Sequence, residues 1–113
     1  MVTESLKHLQ NIEVIIHNGL MVNIAEKLNA NTIIRGLRAT SDFDYEFPIA
    51  LMNRKMRNNI DTILMLPDEK YTYLSSTIVK EVAQYGENIQ HFVNDYVAAK
   101  LEEKFRKNKV EIV

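Results

Sequence analysis

Apolar positions along this chain switch between short runs and helical spacing, and the switches mark its elements. Residues 5–10 read as the tail of a helix. Asn11-Ile-Glu-Val-Ile-Ile-His17 is rich in β-branched residues and stops at the turn signal Asn18-Gly19, so a strand is expected there. Met21, Ile24, Ala25 and Leu28 then recur at i, i+3, i+4 and i+7, the spacing of one buried helix face, and Asn29 closes that helix. Residues 32–35 predict a second strand whose uninterrupted apolar character suits a sheet covered by helices on both faces.

From 41 to 58 the spacing is helical again. Phe43, Phe47 and Ala50 lie on one side, and Tyr45, Ile49, Met52 and Met56 widen it. Asp42, Asp44 and Glu46 in the first turns and Arg54, Lys55 and Arg57 in the last complement the helix dipole. Pro48 opposes this reading. It removes one backbone bond at about 3 kcal/mol, so a kink or a later helix start is expected. Residues 61–66 predict a third strand stopped by Pro67, and 71–74 a loop or short turn. Ser75-Ser-Thr77 opens a helix with Ile78, Val79, Val82 and Ala83 as its apolar face and Gly86 as its C-cap. A last helix runs from Asn94 or Asp95 to Arg106, with Val97, Leu101 and Phe105 four apart and the pairs Glu102/Arg106 and Glu103/Lys107 on its wet side. Residues 107–113 are expected to fray. The alternation of strands and helices predicts an α/β fold with a parallel sheet.

Composition narrows the function classes. The 113 residues suit one domain, and with no cysteine the chain has neither thiol catalysis nor a disulfide framework. A net charge of -1 gives no field for nucleic acid. The apolar runs are too short for a bilayer and the first ten residues are not a signal peptide, so a soluble cytoplasmic protein is the expectation.

Two places could carry chemistry. At the carboxyl end of the second strand, Arg35-Gly36-Leu37-Arg38 offers two planar donor forks and a glycine that lets backbone approach a ligand, which suits a phosphate. Equally, the glycine could simply turn the chain while the arginines pair with Asp42, Asp44 or Glu46. At the start of the Ser75 helix, free N–H groups and hydroxyls could hold an anion, with Lys80 one turn in; an ordinary N-cap at Ser76 or Thr77 accounts for the same residues. His8, His17 and His91 are isolated and lack metal-ligand spacing.

The run Ile34-Arg-Gly-Leu-Arg-Ala-Thr-Ser-Asp-Phe-Asp-Tyr-Glu46, followed by Ala50-Leu-Met-Asn-Arg54 and Leu74-Ser-Ser-Thr-Ile-Val-Lys-Glu-Val-Ala83, closely resembles the bacterial phosphopantetheine adenylyltransferases, in order and in spacing, from about residue 8 to 105. The resemblance implies a Rossmann-like nucleotidyltransferase fold. It implies adenylyl transfer from ATP to 4′-phosphopantetheine, giving dephospho-coenzyme A and pyrophosphate, with Mg2+ carried by ATP. By resemblance, Met21 and Arg35 meet phosphopantetheine. Gly36, Leu37, Arg38 and Glu46 meet ATP, as does the segment Tyr71, Thr72, Tyr73, Leu74, Ser75, Ser76 and Thr77. A homohexamer is implied as well, and no metal site on the protein.

The family also opens with a strand, a Gly-Thr-Phe-Asp-Pro loop, a Thr/His-x-Gly-His motif, a second strand and a lysine, none of which occurs in this sequence. The chain is therefore expected to be the C-terminal portion, residues 1–113, of a single nucleotidyltransferase domain that is truncated at its N-terminus. Its catalytic histidine and lysine are missing, its sheet edges are unpaired and its activity alone is impaired. The alternative is a non-catalytic fragment that binds phosphopantetheine or coenzyme A, or that serves oligomerisation.

Overall fold

A computed structural model describes residues 1–107, which divide into two compact units: Ile16–Tyr73, and Met1–Ile15 together with the described residues from 74 onward.

In the first unit, α2 (Met21–Lys27) leads to β1 (Thr32–Gly36), α3 (Thr40–Met56) and β2 (Asp61–Met65); α1 belongs to the other unit. The two strands pair in parallel with Thr32 opposite Asp61, Ile34 opposite Ile63 and Gly36 opposite Met65, so β1, α3 and β2 form a βαβ unit. The α/β expectation holds, as a two-stranded sheet with flanking helices.

Only one face of that sheet is covered. Ile33 is buried with Val22, Ala25 and Ile60, whereas Ile34 is 64% exposed and Ile63 and Met65 also face outward. Coverage on both sides, as the apolar run suggested, is thus not observed. Helix α2 is correspondingly rotated from its expected face. Val22 and Ala25 are buried, while Met21 and Leu28 are exposed. The expected strand at 11–17 does not form, because extended backbone becomes a strand only beside a partner and none is present among the described residues. Ile16 is almost fully exposed.

Helix α3 runs through Pro48 without a later start, and its apolar side is inverted. The buried residues are Glu46 and Asn53, whereas Phe43 and Phe47 stack on each other at 5.2 Å on the exposed side. A short 3₁₀ turn, Glu69–Tyr71, is capped by the Asp68 carboxylate and occupies part of the expected 71–74 loop.

In the other unit, α1 (Val2–Ser5) precedes the stretch expected to be helical at 5–10. Helices α4 (Ser76–Gln84) and α5 (Asp95–Lys107) pack through Val79, Ala83, Ile89, Ala98 and Leu101, with Val97 and Phe105 half-buried beside them. Ser75, rather than Ser76 or Thr77, is the N-cap of α4: its Oγ accepts from the Ile78 N–H at 3.2 Å. At the other end Gly86 has φ +82°, donates to the Ala83 carbonyl, and Glu87 donates to Val82, the paired bonds of a Schellman stop. The Asn94 side chain caps α5 through the Val97 N–H and also donates to Ser5 Oγ at 2.8 Å. On α5 Lys100 and Glu103 form an ion pair at 3.8 Å; among the described residues Glu102 and Arg106 do not pair, and the expected Glu103/Lys107 pair lies outside them. Lys107 is helical, and its side chain and residues 108–113 lie outside the description, as does the expected fraying.

Candidate functional site

Within the unit spanning Ile16–Tyr73, a cavity of about 340 Å³ opens where four consecutive elements meet. Gly19, Leu20 and Met21 at the start of α2 contribute to its lining. Ile33 and Arg35 enter from β1 and Thr62 from β2, and Tyr45, Glu46, Ile49, Ala50 and Asn53 from α3. The lining is mostly apolar with a few polar groups, the character of a small-molecule site.

Arg35 dominates it. It leaves β1 at the carboxyl end of the sheet and meets Glu46 as a two-pronged pair, Nε to Oε2 at 3.0 Å and Nη2 to Oε1 at 2.7 Å. Glu46 is 8% exposed, and a carboxylate so placed requires a matched cation. The guanidinium holds the Glu46 carboxyl below its usual pKa, mainly through the hydrogen bond, and Glu46 raises that of Arg35 by the same bond. Arg35 keeps 44% of its side chain exposed, and its Nη1 has no partner among the described residues. Nε and Nη2 are thus anchored, and Nη1 is available to an anion.

Arg38 is held by Asp42. The Arg38 backbone N–H donates to Asp42 Oδ2 at 2.9 Å and its Nε to the same oxygen at 3.1 Å, which lowers the Asp42 pKa, chiefly through the backbone bond. Both arginines therefore pair with nearby carboxylates, as one of the two sequence readings held. Between them the Leu37 side chain is buried and its N–H donates to the Met65 carbonyl at 2.8 Å, continuing the sheet's bonding past Gly36. A Cβ on Gly36 would meet nothing within 4 Å among the described residues, so no contact with them requires glycine there. The glycine is free for close approach of a ligand.

Met21, Arg35 and Glu46 thus share one cavity, with Gly36, Leu37 and Arg38 immediately beyond it along the chain. Tyr71, Thr72 and Tyr73 follow β2 in the same unit, in and after the 3₁₀ turn, with Tyr71 and Tyr73 exposed. Leu74, Ser75, Ser76 and Thr77 belong to the other unit, where they lead into α4. Leu20, Ile49, Asn53 and Thr62 were missed. Asn53 could have been found, since it lies seven residues from Glu46 and hence on the same helix face two turns on. Thr62 Oγ1 is buried without a hydrogen-bond partner. Among the described residues no group of three or more His, Asp or Glu side chains could hold a metal, and no helix is long and apolar enough to cross a membrane.

A family model described as cytidylyltransferase-like matches residues 1–82. Over 107 residues the chain is 49% identical to a phosphopantetheine adenylyltransferase of Staphylococcus haemolyticus and 47% identical to that of Staphylococcus saprophyticus; each match covers 95% of this chain and 66% of the relative. It is also 49% identical over 105 residues to the enzyme of that name from Caldanaerobacter subterraneus, covering 93% of the chain and 66% of the relative. The chain therefore spans about two thirds of the length of the curated relatives it matches.

Proposed function

The chain belongs to the cytidylyltransferase-like family, and from that membership and the arginine-bearing cavity we propose that it forms part of the site at which a phosphopantetheine adenylyltransferase joins ATP to 4′-phosphopantetheine. The observation that carries the reading is the cavity itself. Apolar Leu20, Met21, Ile33 and Ile49 suit an extended pantetheine arm, and Arg35 presents an unpaired Nη1 to a phosphate.

In the reaction an oxygen of the 4′-phosphate attacks the α-phosphorus of ATP. A new phosphorus–oxygen bond forms as the bond from the α-phosphorus to the bridging oxygen breaks, and pyrophosphate leaves; the product is dephospho-coenzyme A. Such an in-line transfer requires positioning and neutralisation of charge rather than a covalent intermediate. In this chain Arg35 would hold the substrate phosphate while Glu46 fixes the guanidinium, a positioning task beside the ATP contact that the resemblance implies for Glu46. Gly36, Leu37 and Arg38 would follow as the ATP-side wall, with Tyr71, Thr72 and Tyr73 of the same unit as further nucleotide contacts.

Magnesium would arrive on the phosphates. An ion carried by ATP oxygens would bring its charge to the transfer with the nucleotide and would need no side-chain cluster of its own. Assembly into a hexamer and a cytoplasmic location belong to the same proposal.

Because this sequence lacks Thr/His-x-Gly-His, the chain alone is expected to bind 4′-phosphopantetheine and to turn it over far more slowly than a relative of full length. Incubation with ATP, Mg2+ and 4′-phosphopantetheine, following dephospho-coenzyme A, tests the second half: turnover equal to that of the Staphylococcus haemolyticus enzyme refutes the impairment. Light scattering tests assembly, and a compact monomer counts against the hexamer.

A further inference from the structure

Helix α2 is seven residues long, has no side-chain N-cap and contributes two buried side chains, Val22 and Ala25, to the cluster with Ile33 and Ile60. A helix this short does not persist unaided. Yet Leu20 and Met21, at its start, line the cavity. A third hold on α2 comes from outside it. Arg57, the residue that ends α3, donates from Nε to the Glu26 carboxylate and from Nη2 to Asn23 Oδ1 at 3.3 Å, while its Nη1 bonds the Met56 carbonyl at 2.9 Å. Asn23 and Glu26 are one turn apart on α2, a spacing that a guanidinium fork can span. The backbone N–H of Arg57 donates to the Asn53 carbonyl at 2.9 Å, so the same residue closes the helical turn that holds buried Asn53 at the cavity.

We propose that Arg57 is a positioning residue for the cavity: by tying α2 to the end of α3 it sets the separation of the walls that carry Met21 and Asn53, and hence the affinity for the phosphate-bearing ligand. The inference rests on the function proposed above. Arg57 does not line the cavity, and the Arg57–Glu26 pair is exposed, with 36% and 56% of the two side chains accessible. An exposed pair adds little to global stability, so its removal loosens α2 without unfolding the chain.

The test is Arg57→Gln in the full chain, titrated calorimetrically with 4′-phosphopantetheine and compared with wild type by amide hydrogen exchange. Affinity is expected to fall about 3- to 10-fold, the scale of coupling between contacting groups. Amides of residues 23–28 should exchange faster while those of β1 and β2 do not change. Arg57→Lys, which keeps the charge but not the fork, should fall between the two. The reversal Glu26→Arg with Arg57→Glu should recover affinity lost in either single variant, which a general loss of stability would not do. These two variants carry the test if Arg57→Gln does not fold. Wild-type affinity in Arg57→Gln, unchanged exchange in α2, or a reversal no better than its singles overturns the inference. A wild-type chain that binds nothing overturns the functional reading instead, and the exchange data keep the two failures distinct.

Discussion

Replacing Arg35 by alanine exposes how much of the site is held by one ion pair. The substitution removes two charge-assisted hydrogen bonds from Glu46, which is 8% exposed, and leaves that carboxylate without its cation. Charge-assisted bonds contribute about 1.5–3 kcal/mol each when fully desolvated. Arg35 is 44% exposed, however, and the cavity admits water to the vacated position, so screening reduces the sum to about 1–2 kcal/mol. For a unit of this size each kcal/mol lowers the melting temperature by about 4–8 °C. Urea and thermal melts of wild type, Arg35→Ala, Glu46→Gln and the double variant give the coupling directly, with about 1 kcal/mol or more expected.

The pH dependence supplies the sign. Glu46 titrates lower in the folded than in the unfolded chain, so the unfolded chain binds more protons between the two values, and stability rises with pH across that window. The pair's contribution is complete above the ordinary glutamate value and disappears as pH falls through the lowered one. Arg35→Ala should therefore lose to wild type at pH 7 and approach it in acid. A coupling below about 0.3 kcal/mol, or a difference that persists unchanged in acid, refutes the reasoning.

Three further outcomes follow from particular residues. Ile60→Ala removes a side chain that is 1% exposed and should destabilise its unit by about 2–5 kcal/mol, measured by urea unfolding. Ser75→Ala deletes the cap on Ile78 N–H and should cost about 1 kcal/mol, with loss of helical circular dichroism confined to a few residues. Pro48→Ala restores an N–H inside α3 and should stabilise the chain, by no more than about 3 kcal/mol, read as a rise in melting temperature.

What could be read in the sequence was local. The strand at Thr32, the acidic-to-basic order of α3, the stop at Gly86 and the helices α4 and α5 all follow from spacing and turn chemistry, although on α4 only Val79, Val82 and Ala83 of the expected face turn inward and Ile78 is exposed. Burial was harder to read, because it depends on what stands opposite. Phe43 and Phe47 look like core, yet α3 turns Glu46 inward because Arg35 waits on β1. Ile12, Val14 and Ile16 have strand character without a neighbouring strand to pair with among the described residues. For the site, Arg35 and Glu46 were legible through the resemblance. That they would bond to each other was one of two open readings, and Arg57 as a tie to α2 was beyond it. A contact across 31 residues has no periodic signature.

The most direct measurement is a calorimetric titration of the chain with 4′-phosphopantetheine at neutral pH, repeated with Arg35→Ala. Saturable binding by the wild type, weakened about tenfold or more by loss of the guanidinium, is the predicted result. Equal binding by the two chains, or no binding by the wild type, would contradict the assignment of this cavity.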